Sequence, residues 1–143
     1  MKLFGHPLHL VFVHFPAALF PMDFICSLLF RYSGLPSFAD ASFYALCGGV
    51  TAGWIAVIFG TFDLLGVMEK HRDAVKKALL HGGINTAVIL VYSLLAYAQY
   101  KQVPWADGMG ILVLKGLALA GMVIGNFMGG NLILKHRVAV ENG

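Results

Sequence analysis

At 143 residues the chain is long enough for one domain, and 59% hydrophobic with only 12% charged residues lies far outside the usual soluble composition. The formal net charge of +3 does not mark a nucleic-acid binder, because the basic residues sit between apolar runs rather than in a stripe interleaved with aromatics. The composition indicates an integral membrane protein.

A hydrocarbon core of about 30 Å needs about 20 predominantly apolar residues per helix. Four such runs occur, at 8–31, 41–67, 78–100 and 109–134, so the expected fold is all-α: a single transmembrane four-helix bundle filling 1–143. The first run carries His14 and Asp23 and no A-x-A-like cleavage site follows it, so it is expected to be retained. Its Pro16 and Pro21 each remove a backbone donor, which predicts a kink. Ser33-Gly34-Leu35-Pro36 ends it.

The second run carries Gly49, Gly53, Ala56 and Gly60, and the fourth a doubled G-x-x-x-G at Gly121, Gly125 and Gly129. Such stripes allow close helix approach, and equally leave room for a flat macrocycle beside the backbone. They also permit a homodimer. Cys26 and Cys47 fall at similar depth and are expected to be free thiols packed as small apolar groups. The absence of C-x-x-C and C-x-x-C-H excludes thioredoxin-like redox chemistry and covalent haem attachment. A weak echo between 60–71 and 125–136 is compatible with a two-plus-two repeat.

Lys2, Lys70, Arg72, Lys76, Lys77, Lys135 and Arg137 lie on one side of the spans, against Arg31 and Lys101 on the other. The positive-inside rule then places both termini and the 68–77 connection in the cytoplasm. With that orientation His9, His14, Asp63, His81, Asn85 and Asn126 converge on the cytoplasmic half. Toward the other side Asp23 and Lys115 reach comparable depth, which predicts a cross-helix ion pair.

Ionisable groups inside spans mark a relay, a pathway or a cofactor. Haem b is held between imidazoles on facing helices, beside small residues and apolar walls. The preferred axial pair is His14 and His81, with His9 a near-equal substitute that matches the shallow depth of His81 better. His9 and His14 are five residues apart, about 140° around a helix, which disfavours one small ion held by both. A transition-metal site of His6 and His9, three residues apart, completed by Asp63 or His81, is the alternative, as is a proton or cation path through the Asp63, His14 and His81 layer, or an accessory subunit without a cofactor. There is no G-x-S-x-G, H-E-x-x-H, P-loop or G-x-G-x-x-G, so electron transfer fits better than hydrolysis. Its partners would be membrane lipid and other redox membrane proteins or quinone.

The block HPLHLVFVHFPAALF at residues 6–20 resembles the N-terminal signature of a domain-of-unknown-function family of small four-helix bacterial membrane proteins, whose pattern is H-P-x-H-P-x-x-V-H-F-P-I-A-L. His6, Pro7, His9, Val13, His14, Phe15, Pro16, Ala18 and Leu19 match it in place. Leu10 replaces the second proline, which moves weight from His9 to His14, and Ala17 replaces the isoleucine. The Asp63 region and His81 are similar to later family features. The resemblance implies a bacterial inner-membrane protein, in a family whose members sometimes accompany iron–sulfur or cytochrome partners; it implies no established activity.

Overall fold

A computed structural model describes residues 2–3, 6–70, 72–104, 106 and 108–136, with side chains at 8–65, 75–104, 106 and 108–131. Two short strands, β1 (Lys2–Leu3) and β2 (His6–Pro7), pair antiparallel ahead of four helices: α1 (Leu8–Ser33), α2 (Pro36–Lys70), α3 (Arg72–Tyr100) and α4 (Met109–His136). All four contain a segment long and apolar enough to cross a bilayer, so the chain is a multi-pass membrane protein. The ends of α1 and α3 nearest His9 and His81 share a face with the chain termini; the α1–α2 turn and the α3–α4 connection form the opposite, turn face.

Helix boundaries differ from the sequence expectation where local capping decides them. The α1–α2 turn occupies only Gly34 and Leu35: Gly34 adopts φ +69° and donates to the Phe30 carbonyl at 2.7 Å, an αL cap. Pro36 then sits at the first position of α2, where its missing N–H costs nothing, so α2 begins five residues earlier than hydrophobicity alone suggests. On the termini face, α2 runs to Lys70 and α3 begins at Arg72. Most of the charged 68–77 segment is therefore helix protruding beyond the apolar span, not loop. α1 is continuous through Pro16 and Pro21.

α3 ends in a Schellman motif, with Val103 N–H bonding the Ala98 carbonyl at 3.1 Å and Gln102 N–H the Gln99 carbonyl at 2.9 Å. Gln102 supplies the left-handed residue at φ 51°. The core is a layer of Phe20, Leu46, Val88, Ile89, Tyr92, Leu95, Ala118 and Met122 at mid-bundle. Within it Phe20 and Tyr92 stack face to face, centroids 3.8 Å apart at 9°. Trp54 Nε1 donates to Ser93 Oγ at 3.0 Å, tying α2 to α3. Exposed Tyr32, Tyr44, Tyr97 and Tyr100 ring the turn face, where amphipathic rings mark the headgroup level. α1 and α4 are the least intimately packed neighbours in the bundle.

Candidate cofactor site

The first turn of α1 carries His9 and the third turn of α3 carries His81, and the two imidazoles meet in the termini-face half of the bundle. Their ring centroids are 6.2 Å apart and their planes lie 84° from each other. Each ring is anchored to the backbone of the next helix in sequence: His9 Nδ1 lies 2.9 Å from the Ala56 carbonyl on α2, and His81 Nδ1 lies 2.7 Å from the Gly125 carbonyl on α4. A carbonyl can only accept, so Nδ1 carries the proton in both rings, and Nε2 is the ring nitrogen not engaged with a carbonyl. Asn85 buttresses His81 from one turn along, donating from Nδ2 to the His81 carbonyl at 3.0 Å.

Glycines create the seats for these rings. A Cβ on Gly60 would stand 3.0 Å from His9 Nδ1, and one on Gly129 would stand 2.7 Å from His81 Cε1; Gly125 is similarly filled by Asn85 at 2.7 Å. Gly49 and Gly53 receive Phe20 and Ile89 in the same way. Of the two roles the stripes were compatible with, they chiefly serve close packing. Gly82, Gly83 and Gly130 differ, because nothing lies within 4 Å of their Cβ positions and they border a cavity of about 560 Å³. That cavity is otherwise walled mostly by aliphatic residues, with Thr61 and Thr86, and by His9, His14, Asp63, His81, Asn85 and Asn126. Asn126 Oδ1 is buried with no hydrogen-bond partner among the described residues.

Of the two histidines expected as partners of His81, it is His9 whose ring meets it. The five-residue step from His9 turns His14 to an exposed position, where it borders the cavity without sharing the His9 seat. Among the described residues no three or more His, Cys, Asp or Glu side chains converge as metal ligands, so the His-rich metal cluster does not form there; the side chain of His6 lies outside the described residues. Cys26 and Cys47 are free thiols.

Toward the turn face, the anticipated ion pair is formed, with Lys115 Nζ 2.7 Å from Asp23 Oδ1 and both side chains almost fully buried. Sequence reasoning missed the two serines that complete it. Lys115 also donates to Ser27 Oγ at 2.8 Å, and Ser42 donates to Asp23 Oδ1 at 2.6 Å. Because the Ser42 proton is committed to the carboxylate, the 2.9 Å bond between the two hydroxyls runs from Ser27 to Ser42.

The bundle also contains an internal correspondence. His9 and His81 are separated by the same interval along the chain as Phe20 and Tyr92, and each pair is in ring contact. On the partner helices Ala56 corresponds to Gly125 and Gly60 to Gly129, so each histidine finds the same carbonyl and the same notch one turn later. The α1–α2 and α3–α4 hairpins are thus related by a pseudo-two-fold axis along the membrane normal, passing between the paired rings. Sequence comparison placed the echo in a different register, matching Gly60 to Gly125. The repeated Leu-His at Leu8-His9 and Leu80-His81 was the signal that carried the true one.

Four apolar spans around a paired-imidazole cavity and a buried ion pair define a small polytopic membrane protein with a polar interior. More particularly, the chain belongs to the DUF2231 family of predicted membrane proteins, whose family model matches residues 5–142. No curated protein and no solved structure matches it.

Proposed function

We propose that this is a b-type haem protein of the bacterial inner membrane that passes electrons, in which His9 and His81 would hold the haem. One observation carries the reading: two imidazoles from different spans, each with Nδ1 pinned to a carbonyl, border one large and mostly apolar cavity. The two ring centroids lie 6.2 Å apart on separate helices, and His9 and His81 would hold the iron through their Nε2 atoms. Haem supplies a one-electron couple when bound. The carbonyls of Ala56 and Gly125 would fix the imidazole tautomers and raise their basicity. Gly60 and Gly129 would fix where the rings stand, and Gly82, Gly83 and Gly130 leave open wall. The aliphatic lining would keep water from the site and lower its dielectric.

The test is the absorption spectrum, oxidised and reduced, of protein expressed with haem supplied and purified in detergent. A Soret band that shifts on reduction is expected in the wild type and in His14→Ala, and should be lost in both His9→Ala and His81→Ala. Folded wild-type protein with no Soret band and no iron would overturn the proposal. Metal-dependent uptake by vesicles, lost in His14→Ala, would then favour transport.

A further inference from the structure

The pseudo-symmetry has one conspicuous break. By the intervals that relate the two hairpins, Asp23 on α1 corresponds to Leu95 on α3, and Lys115 on α4 corresponds to Leu46 on α2. Leu46 and Leu95 belong to the buried apolar core. The α2–α3 seam is therefore closed by hydrocarbon, whereas the corresponding position of the α1–α4 seam is closed by a charged pair. In the turn-face half α1 and α4 are joined by Asp23 and Ser27 with Lys115, and by Phe24 beside Gly116. Nearer the termini face, α1 and α4 stand as separate walls of the His9–His81 cavity.

The same ion pair sits at the floor of a second cavity, of about 280 Å³, open at the turn face. Ser27, Ser42 and Lys115 border it; Asp23 lies just behind them. Among the described residues the donors reaching Asp23 converge on Oδ1, while Oδ2 is buried with no partner.

We propose that Asp23 is a proton-binding site loaded from the turn face, and that loading it unclasps α1 from α4 and widens access to the His9–His81 cavity. The bond directions define the route. A hydronium ion in the turn-face cavity gives its proton to Ser27 Oγ, the Ser27 proton passes to Ser42, and the Ser42 proton passes to Asp23 Oδ1. One proton enters, both hydroxyls are restored, and Asp23 becomes a neutral acid. Lys115 has then lost its counter-ion, and since it borders the cavity, its ammonium can turn to water there instead of remaining unpaired in the bundle. The groups facing Asp23 are Lys115 from α4, Ser42 and Cys47 from α2, Tyr92 from α3, whose hydroxyl bonds the Lys115 carbonyl at 3.2 Å, and Ser27 on its own helix; Arg31 borders the cavity above. The inference does not depend on what the larger cavity binds.

Its test uses full-length protein in lipid nanodiscs, with Cys26 and Cys47 replaced by alanine and nitroxide labels at the exposed positions Phe15 on α1 and Phe127 on α4. Acidification from about pH 8 to about pH 2, which brackets ordinary carboxyl titration, should lengthen the label separation in the parent protein. Infrared spectra over the same range should gain more protonated-carboxyl absorption than those of Asp23→Asn, by one group. Asp23→Asn should show the long separation at both pH values. The double variant Asp23→Leu with Lys115→Leu restores the apolar pairing of the other seam, so it should fold well and keep the short separation at both. Unchanged separation in the acidified parent, or a double variant that still opens on acidification, would overturn the proposal.

Discussion

Imidazole is placed here by what is missing opposite it. His9 and His81 reach backbone carbonyls because the residues one turn further along α2 and α4, Gly60 and Gly129, have no side chains. Gly129→Ala would put a methyl 2.7 Å from His81 Cε1, forcing the ring or the helix to shift. Such overpacking costs about 1–3 kcal/mol, against about 1 kcal/mol gained from helix propensity. A lowered melting temperature and a weakened Soret band are therefore expected. Gly110→Ala is the control: nothing lies within 4 Å of its Cβ position, so it should leave the spectrum unchanged and melt no lower than the wild type. At the other end of α3, Gln102 holds a left-handed conformation that costs a non-glycine residue about 1 kcal/mol. Gln102→Gly should relieve part of that and raise the melting temperature slightly.

Between elements, the bundle contrasts two solutions to one packing problem. Leu46 and Leu95 contribute to the apolar core of the α2–α3 side, while Asp23 and Lys115 join α1 to α4 at the cost of desolvating two charges. Removing one partner of a buried pair leaves the other charge stranded, about 3–5 kcal/mol of loss. Lys115→Met should accordingly destabilise the protein by that order in a denaturant titration, and the Asp23→Leu with Lys115→Leu double variant should recover most of it. Depth along two apolar runs was enough to anticipate this pair, because a charge in hydrocarbon must find its opposite. Ser27 and Ser42 were not legible in the same way: a hydroxyl inside a span can return its proton to its own helix, as Thr51 and Thr61 do. Ser27 stands one turn from Asp23 on α1, but only the packing of α1 on α2 brings Ser42 to the same carboxylate.

At the scale of the whole molecule, two similar hairpins assemble about an axis occupied by paired rings. The orientation expected from the basic residues places the termini face, and with it the His9–His81 cavity, on the cytoplasmic side. Reporter fusions check this: a fluorescent protein at the C-terminus should be bright, and a reporter active only outside the cytoplasm should work when inserted at Gly34 but not at the C-terminus. The reverse pattern would turn the proton-loading face inward.

The sequence by itself determined that there are four spans, roughly where they lie and that their polar residues collect in two layers, because burial in hydrocarbon is decided residue by residue and depth follows from helical rise. It could not determine which histidine meets His81. His9 and His14 are equally apolar in context, and the choice depends on helix rotation, fixed only when His9 settles against Gly60 and the Ala56 carbonyl. The pairing of Phe20 with Tyr92, the separation of the two cavities and the inequality of the two seams likewise belong to the tertiary structure, since each arises from side chains on different helices competing for the same space.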